Sequence, residues 1–135
     1  MTDNTRKFNR YVLPAILYLA VIFTVSSIPT VRPPHLGISW EDKIYHFVEY
    51  AGLAIVIFRA LLYWDWSGPF FRRGMLSVAI CSSIGAIDEI HQLFISGRTT
   101  EFGDWFSDTI GAVLGVILVF LAYALFKPEG LRKGS

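Results

Sequence analysis

Charge and cysteine are what this sequence has least of. Asp, Glu, Lys and Arg make up only 17% of 135 residues, against 53% hydrophobic and 16% aromatic, a balance too apolar for an ordinary soluble domain. The lone cysteine, Cys81, excludes an internal disulfide; it falls mid-way along an apolar run among small residues, where packing is its default role. There is no repeat and no low-complexity tract, no His-Glu-x-x-His, and no Ser or Cys in a recognisable nucleophile motif. Those absences remove the zinc-protease signature and any ready-made covalent catalyst.

What is present is four apolar runs, about Tyr11 to Ile28, Ile44 to Trp64, Met75 to Ile95 and Trp105 to Phe126. Each is about 18 to 22 residues, or about 27 to 33 Å of helix, the thickness of a bilayer's hydrocarbon core. The expected fold is therefore all-α: a polytopic membrane protein built as a bundle of four transmembrane helices. Residues 1–10 read as a polar, basic cytoplasmic tail, 11–126 as the membrane domain, and 127–135 as a second cytoplasmic tail. The first run is longer than a signal-peptide core and more spans follow it, so it is expected to be an uncleaved anchor.

Orientation follows from the basic residues. Arg6, Lys7, Arg10, Arg59, Arg72, Arg73, Lys127, Arg132 and Lys133 fall on one side of the spans, and only Arg32, Lys43 and Arg98 on the other. The positive-inside rule then places both termini in the cytoplasm. Glu41, Asp42, Glu49, Asp88, Glu89, Glu101, Asp104 and Asp108 sort to the outer ends with His35, His46 and His91, so a net charge of +1 hides about −5 outside and +6 inside. Nucleic acid is not an expected partner, because the basic residues are strung along a rim with no folded basic surface behind them. That rim suits anionic lipid.

Local signals set the helix ends. Pro14 falls in the first turn of the first span, where its missing N–H costs little, and Pro29 closes that span. Ser26 and Ser27 either bond back to carbonyls one turn earlier or face the outer end. Ser39 is the expected N-cap of the second span and Trp40 an interfacial anchor. Gly97 is a stop signal after the third span. The third span carries Ser77, Ala79, Cys81, Ser82, Ser83, Gly85 and Ala86, small residues that admit close neighbours, which makes it the expected centre of the bundle. Gly111-x-x-x-Gly115 is a packing motif that permits a dimer.

Asp88-Glu89-Ile90-His91-Gln92 is the stretch around which the rest is arranged. On a helix Asp88, His91 and Gln92 share one face, with Glu89 about 100° away. In the second span Asp42, His46, Glu49 and Tyr50 share a face, and Asp104 and Asp108 do so in the fourth. One reading is a polar plug in which Lys43, Arg98 and the histidines pair with the acids. Eight acids against three bases make that plug incomplete, since burying surplus carboxylates is costly unless they are protonated, hydrated or metal-bound. A divalent cation, Mg²⁺, Mn²⁺ or Zn²⁺, would suit His46, Glu49, Asp88, Glu89 and Asp104. Alternatively, Asp88, Glu89, His46 and His91 are the candidates for acid–base work. Lys43, Glu49, Tyr50, Gln92, Arg98, Asp42, Asp104 and Asp108 would then bind a ligand, with Arg98 directed at a phosphate.

From Phe23-x-x-Ser26-Ser27-x-Pro29 through Asp42-Lys43-x-x-His46-Phe47-x-Glu49-Tyr50 and Asp88-Glu89-x-x-Gln92 to Arg98, Asp104, Asp108 and Gly111, the chain resembles the VanZ-like family of small bacterial membrane proteins. It departs at Asp108, where such proteins often carry Asn. The resemblance implies a multi-pass protein of the bacterial plasma membrane, and its namesake is associated with resistance to teicoplanin, a lipoglycopeptide that acts outside the membrane. The expected function is binding or modification of a membrane lipid, a lipid-linked molecule or a lipoglycopeptide at the outer leaflet. The alternative is a non-catalytic scaffold whose acidic cluster is structural. An ion path across the membrane is weaker, because the inner halves of the spans offer only Arg59 and hydroxyls.

Overall fold

The computed structural model describes residues 2–29, 37, 40–63 and 69–126. Five helices follow in order: α1 (Asp3–Tyr11), α2 (Leu13–Ser26), α3 (Glu41–Leu61), α4 (Phe70–Gln92) and α5 (Phe102–Phe126). There is no strand among the described residues, and four helical runs are long and apolar enough to cross a membrane, with α1 and α2 counting as one run, Asp3–Ser26. The chain is thus an all-helical, four-span membrane protein.

The N-terminal tail is itself helical, which its lack of apolar periodicity concealed. Thr2 accepts a hydrogen bond from the N–H of Thr5 and caps α1, and Lys7 pairs with Asp3 one turn before it at 3.1 Å, local contacts that suffice to start a helix leading into a span. Pro14 sits in the first turn of α2 as expected, and the helix ends at Ser26, ahead of Pro29. The later helices begin three to five residues before their apolar runs. Glu41 and Asp42 occupy the first turn of α3 and Asp104 that of α5, where the helix dipole favours carboxylates. Ser39 lies outside the described residues; Trp40 takes the cap position of α3 without a side-chain hydrogen bond.

The centre of the bundle is α3, not α4. It touches α1, α2, α4 and α5, most extensively α5, and buries Tyr50, Ala51, Leu53, Ala54, Ile57, Phe58, Ala60 and Leu61. The reason lies in α5. A Cβ at Gly111 would collide with the carbonyl oxygen of Phe47, and one at Gly115 with that of Ala51. The Gly-x-x-x-Gly motif is therefore spent on bringing α5 onto α3 within one chain. The small residues of α4 do form a buried stripe, Gly74, Ser77, Cys81 and Gly85, and Ser77 Oγ donates to the Ala54 carbonyl at 2.9 Å. That stripe is one face only: Met75, Ile87 and Ile90 point away from the bundle, as lipid-facing residues do.

At one end of the bundle Phe58, Phe70, Phe120 and Tyr123 interlock. Ring centroids are 5.0 Å apart for Phe58–Phe70 and Phe70–Phe120, and 4.5 Å for Phe70–Tyr123. Gly74 leaves room for them, since a Cβ there would stand 2.6 Å from Phe120. The opposite end, where α2 and α4 finish and α3 and α5 begin, is polar.

Candidate functional site

Antiparallel neighbours bring the start of α3, the end of α4 and the start of α5 together, and each contributes ionisable side chains. His46 Nδ1 lies 2.9 Å from Asp108 Oδ1. Lys43 Nζ reaches Glu101 at 2.8 Å and Asp104 at 3.2 Å. Gln92 donates to Asp88 Oδ2 at 3.0 Å, and the backbone N–H of Glu101 donates to Glu89 Oε2 at 3.0 Å. Two glycines make these approaches fit: a Cβ at Gly85 would be 2.7 Å from Asp108 Oδ2, and one at Gly103 2.7 Å from Lys43 Cε. Trp105 Nε1 donates to the Ser82 carbonyl at 3.0 Å, tying α5 to α4 beside the cluster.

Burial makes this cluster costly. Asp108 is 0% exposed, Asp88 3%, Glu89 6% and Asp104 7%. Asp88 Oδ1, Glu89 Oε1, Asp108 Oδ2, Ser26 Oγ and Tyr50 Oη are buried without a hydrogen-bond partner among the described residues. Asp88 and Glu89 accept from the neutral donors just described, and among the described residues neither forms an ion pair. An uncompensated polar atom out of water costs about 1 to 3 kcal/mol, and a charge more. Outside the spans, Lys43 beside Glu101 holds that carboxyl below the usual glutamate range.

A cavity of about 820 Å³ opens beside the cluster, with Tyr18, Ile22 and Ser26 of α2, Asp42, His46 and Glu49 of α3, Asp88 and Gln92 of α4, and Arg98 and Asp104 around it. That volume fits a sizeable organic group. Its lining carries five carboxylates, Glu41, Asp42, Glu49, Asp88 and Asp104, against Arg98 and His46.

The structure sorts the expected residues into groups. Asp88, Gln92, His46, Glu49, Asp42, Asp104 and Arg98 line the cavity, whereas Lys43, Glu89, Tyr50 and Asp108 stand outside its lining. His91 leaves the cluster. Its Nε2 is 2.9 Å from Ser27 Oγ and its ring meets Phe23 edge-on, because α4 packs between α2 and α5 and His91 falls on the α2 side. Ser27 Oγ already donates to the Phe23 carbonyl at 2.6 Å, so the imidazole N–H donates to the hydroxyl; the pair is a tie between helices and not a nucleophile–base dyad. Arg98 donates to the carbonyls of Val25 and Ile28 at 3.0 and 3.3 Å, closing the open end of α2.

Tyr18 was not anticipated. It donates to the Glu49 carbonyl at 2.9 Å and forms cavity wall. Tyr18, Ile22 and Ser26 recur at four-residue spacing, one face of α2, a signal present in the sequence but masked by the uniform apolarity around it. Gly85 carried a signal too faint to read: nothing local says that it makes space for Asp108.

Fold and site together define a small polytopic helical membrane protein with a surplus-acid site buried at one end of its bundle. Within that class, the chain belongs to the VanZ/LLP1 family, whose sequence model matches residues 6–123. That stretch contains every residue of the site. Neither the curated proteins nor the solved structures yield a match to this chain.

Proposed function

We propose that this VanZ-family protein sits in the bacterial plasma membrane with the acidic end outward, and that its cavity holds the polar head of a lipid-linked or lipoglycopeptide ligand of the teicoplanin type. The observation that carries the reading is the cavity of about 820 Å³ with Asp42, Glu49, Asp88 and Asp104 in its wall. Its position at the end of the spans lets a head group enter while an attached acyl chain stays among the lipid-facing residues. Carboxylates only accept hydrogen bonds, so the matching head is rich in hydroxyl, amide or amine donors, as sugars and peptides are. Among the described lining residues, Arg98 is the guanidinium available to meet a ligand's own acid beside its bonds to the end of α2. Orientation rests on the sorting of basic residues, with both termini cytoplasmic.

The experiment is binding of teicoplanin and of its deacylated form to the full chain in lipid nanodiscs, for wild type and an Asp88→Asn, Glu49→Gln double variant. Wild type should bind the acylated compound at least ten-fold tighter, and the double variant should lose ten-fold or more without a lower melting temperature. No binding by wild type, or full affinity in a stable double variant, overturns the reading.

A second reading, a scaffold with a structural cluster, is favoured by one set of contacts: Lys43 to Glu101 and Asp104, and His46 to Asp108, all of which join α3 to α5 or the segment leading into it. It expects the double variant to melt earlier and to bind nothing in either form.

A further inference from the structure

Behind the cavity, where α3, α4 and α5 meet, we infer a divalent-cation site formed by His46, Glu89 and Asp108. This goes beyond the ligand reading and does not depend on it. Each residue comes from a different helix, and each offers one donor atom such that all three atoms lie within 4.8 Å of one another. Ligands held about 2.1 Å from a common ion stand about 3 to 4 Å apart, so a side-chain adjustment within the cluster closes the set.

A cluster of acids is not in itself a site; two further facts point to an ion here. Glu89 and Asp108 are 6% and 0% exposed, and each keeps one carboxylate oxygen buried with no partner among the described residues. Each already has its other oxygen engaged, Glu89 by the Glu101 N–H and Asp108 by His46. The charge balance runs the same way. Lys43 is committed to Glu101 and Asp104, and a protonated His46 would offset only one of the two carboxylates it faces. A divalent cation offsets both and gives each carboxylate a ligand bond.

The donor set selects the ion class. One imidazole nitrogen with two carboxylate oxygens fits Zn²⁺ or Mn²⁺ better than Mg²⁺, which takes oxygen ligands in strict octahedra. Three protein donors leave further positions for water, as in sites where a metal does more than hold a fold. Because His46 also forms cavity wall, an ion bound there is one side chain away from whatever the cavity holds.

The test uses the full chain in detergent, stripped with a chelator and titrated separately with Zn²⁺, Mn²⁺ and Mg²⁺. Bound metal is counted after gel filtration and the melting temperature followed. We expect one equivalent of Zn²⁺ or Mn²⁺ with a raised melting temperature, at least ten-fold weaker binding in His46→Gln, Glu89→Gln and Asp108→Asn, and wild-type binding in Glu101→Gln. Should the three variants fail to fold, X-ray absorption at the Zn edge of loaded wild type still decides, and an imidazole in its first shell is required. Less than a tenth of an equivalent in wild type, binding of Mg²⁺ alone, a first shell without imidazole, or full binding in the three folded variants overturns the site.

Discussion

The two ends of the bundle are made from the same three helices, α3, α4 and α5, and they solve opposite problems. At the aromatic end Phe58, Phe70, Phe120 and Tyr123 fill the space between helices through ring contacts. At the acidic end the helices meet through Asp88, Glu89, Asp104 and Asp108, all buried, several with an oxygen that has no partner among the described residues. Had selection acted only to hold the helices together, the aromatic solution would serve at both ends, since a well-packed apolar set of like volume is often as stable as a buried ionic one. The contrast teaches that the acidic end gives up stability for something else, as functional sites do.

The largest effect should come from the seam common to both ends. Gly111→Val puts side-chain atoms where the Phe47 carbonyl already sits, and no rotamer avoids a clash with backbone. The helices must separate, so the expected outcome is loss of folded protein, read as loss of a monodisperse peak in gel filtration and of protease resistance. A Gly111→Val protein with wild-type behaviour would mean that α3 and α5 do not approach through this motif. Next in size is Phe58→Ala at the aromatic end. Phe58 is 2% exposed and touches two other rings, so truncation should cost about 3 kcal/mol, measured by denaturant titration in mixed micelles. Asp88→Asn, comparably buried, should cost far less than this. Equal losses at the two ends would erase the contrast between them.

Much of this fold was legible because bilayer thickness converts directly into run length: the four spans and the all-α class follow from apolarity alone. The starts of α3 and α5 were legible in the polar signals at Ser39 to Asp42 and at Asp104, whereas α4 begins at Phe70, ahead of its apolar run. The tail's helix was missed because it has no apolar periodicity, its support being the Thr2 cap and the Asp3–Lys7 pair. Of the site, the residue types and the end of the bundle could be read from spacing, but their partners could not. Rotation of each helix about its axis decides whether His91 meets Ser27 or Asp88, and a composition-based reading carries no information on that angle. The same gap made α4 look central. Its run of small residues is real, but the closer approach is made by Gly111 and Gly115 from α5.

The smallest effect sharpens the comparison most. Lys43 is 37% and Glu101 55% exposed at the side chain, so their pair is a surface ion pair worth about 0.5 kcal/mol and weakened by salt. Lys43 holds the Glu101 carboxyl below its ordinary value of 4.5. A depressed folded-state value stabilises at pH above the unfolded one, and that contribution is lost as pH falls through the folded value. Wild type should therefore lose this small increment on acidification below about pH 4.5, while Glu101→Gln, already without it at neutral pH, shows no such loss. Difference melting curves of the two proteins between neutral and acidic pH read the effect directly. If Glu101→Gln instead cost as much as Phe58→Ala, the Lys43 network would be holding the helices together as strongly as the aromatic cluster does. The acidic end would then be a structural plug, and its surplus carboxylates would need no ligand to account for them.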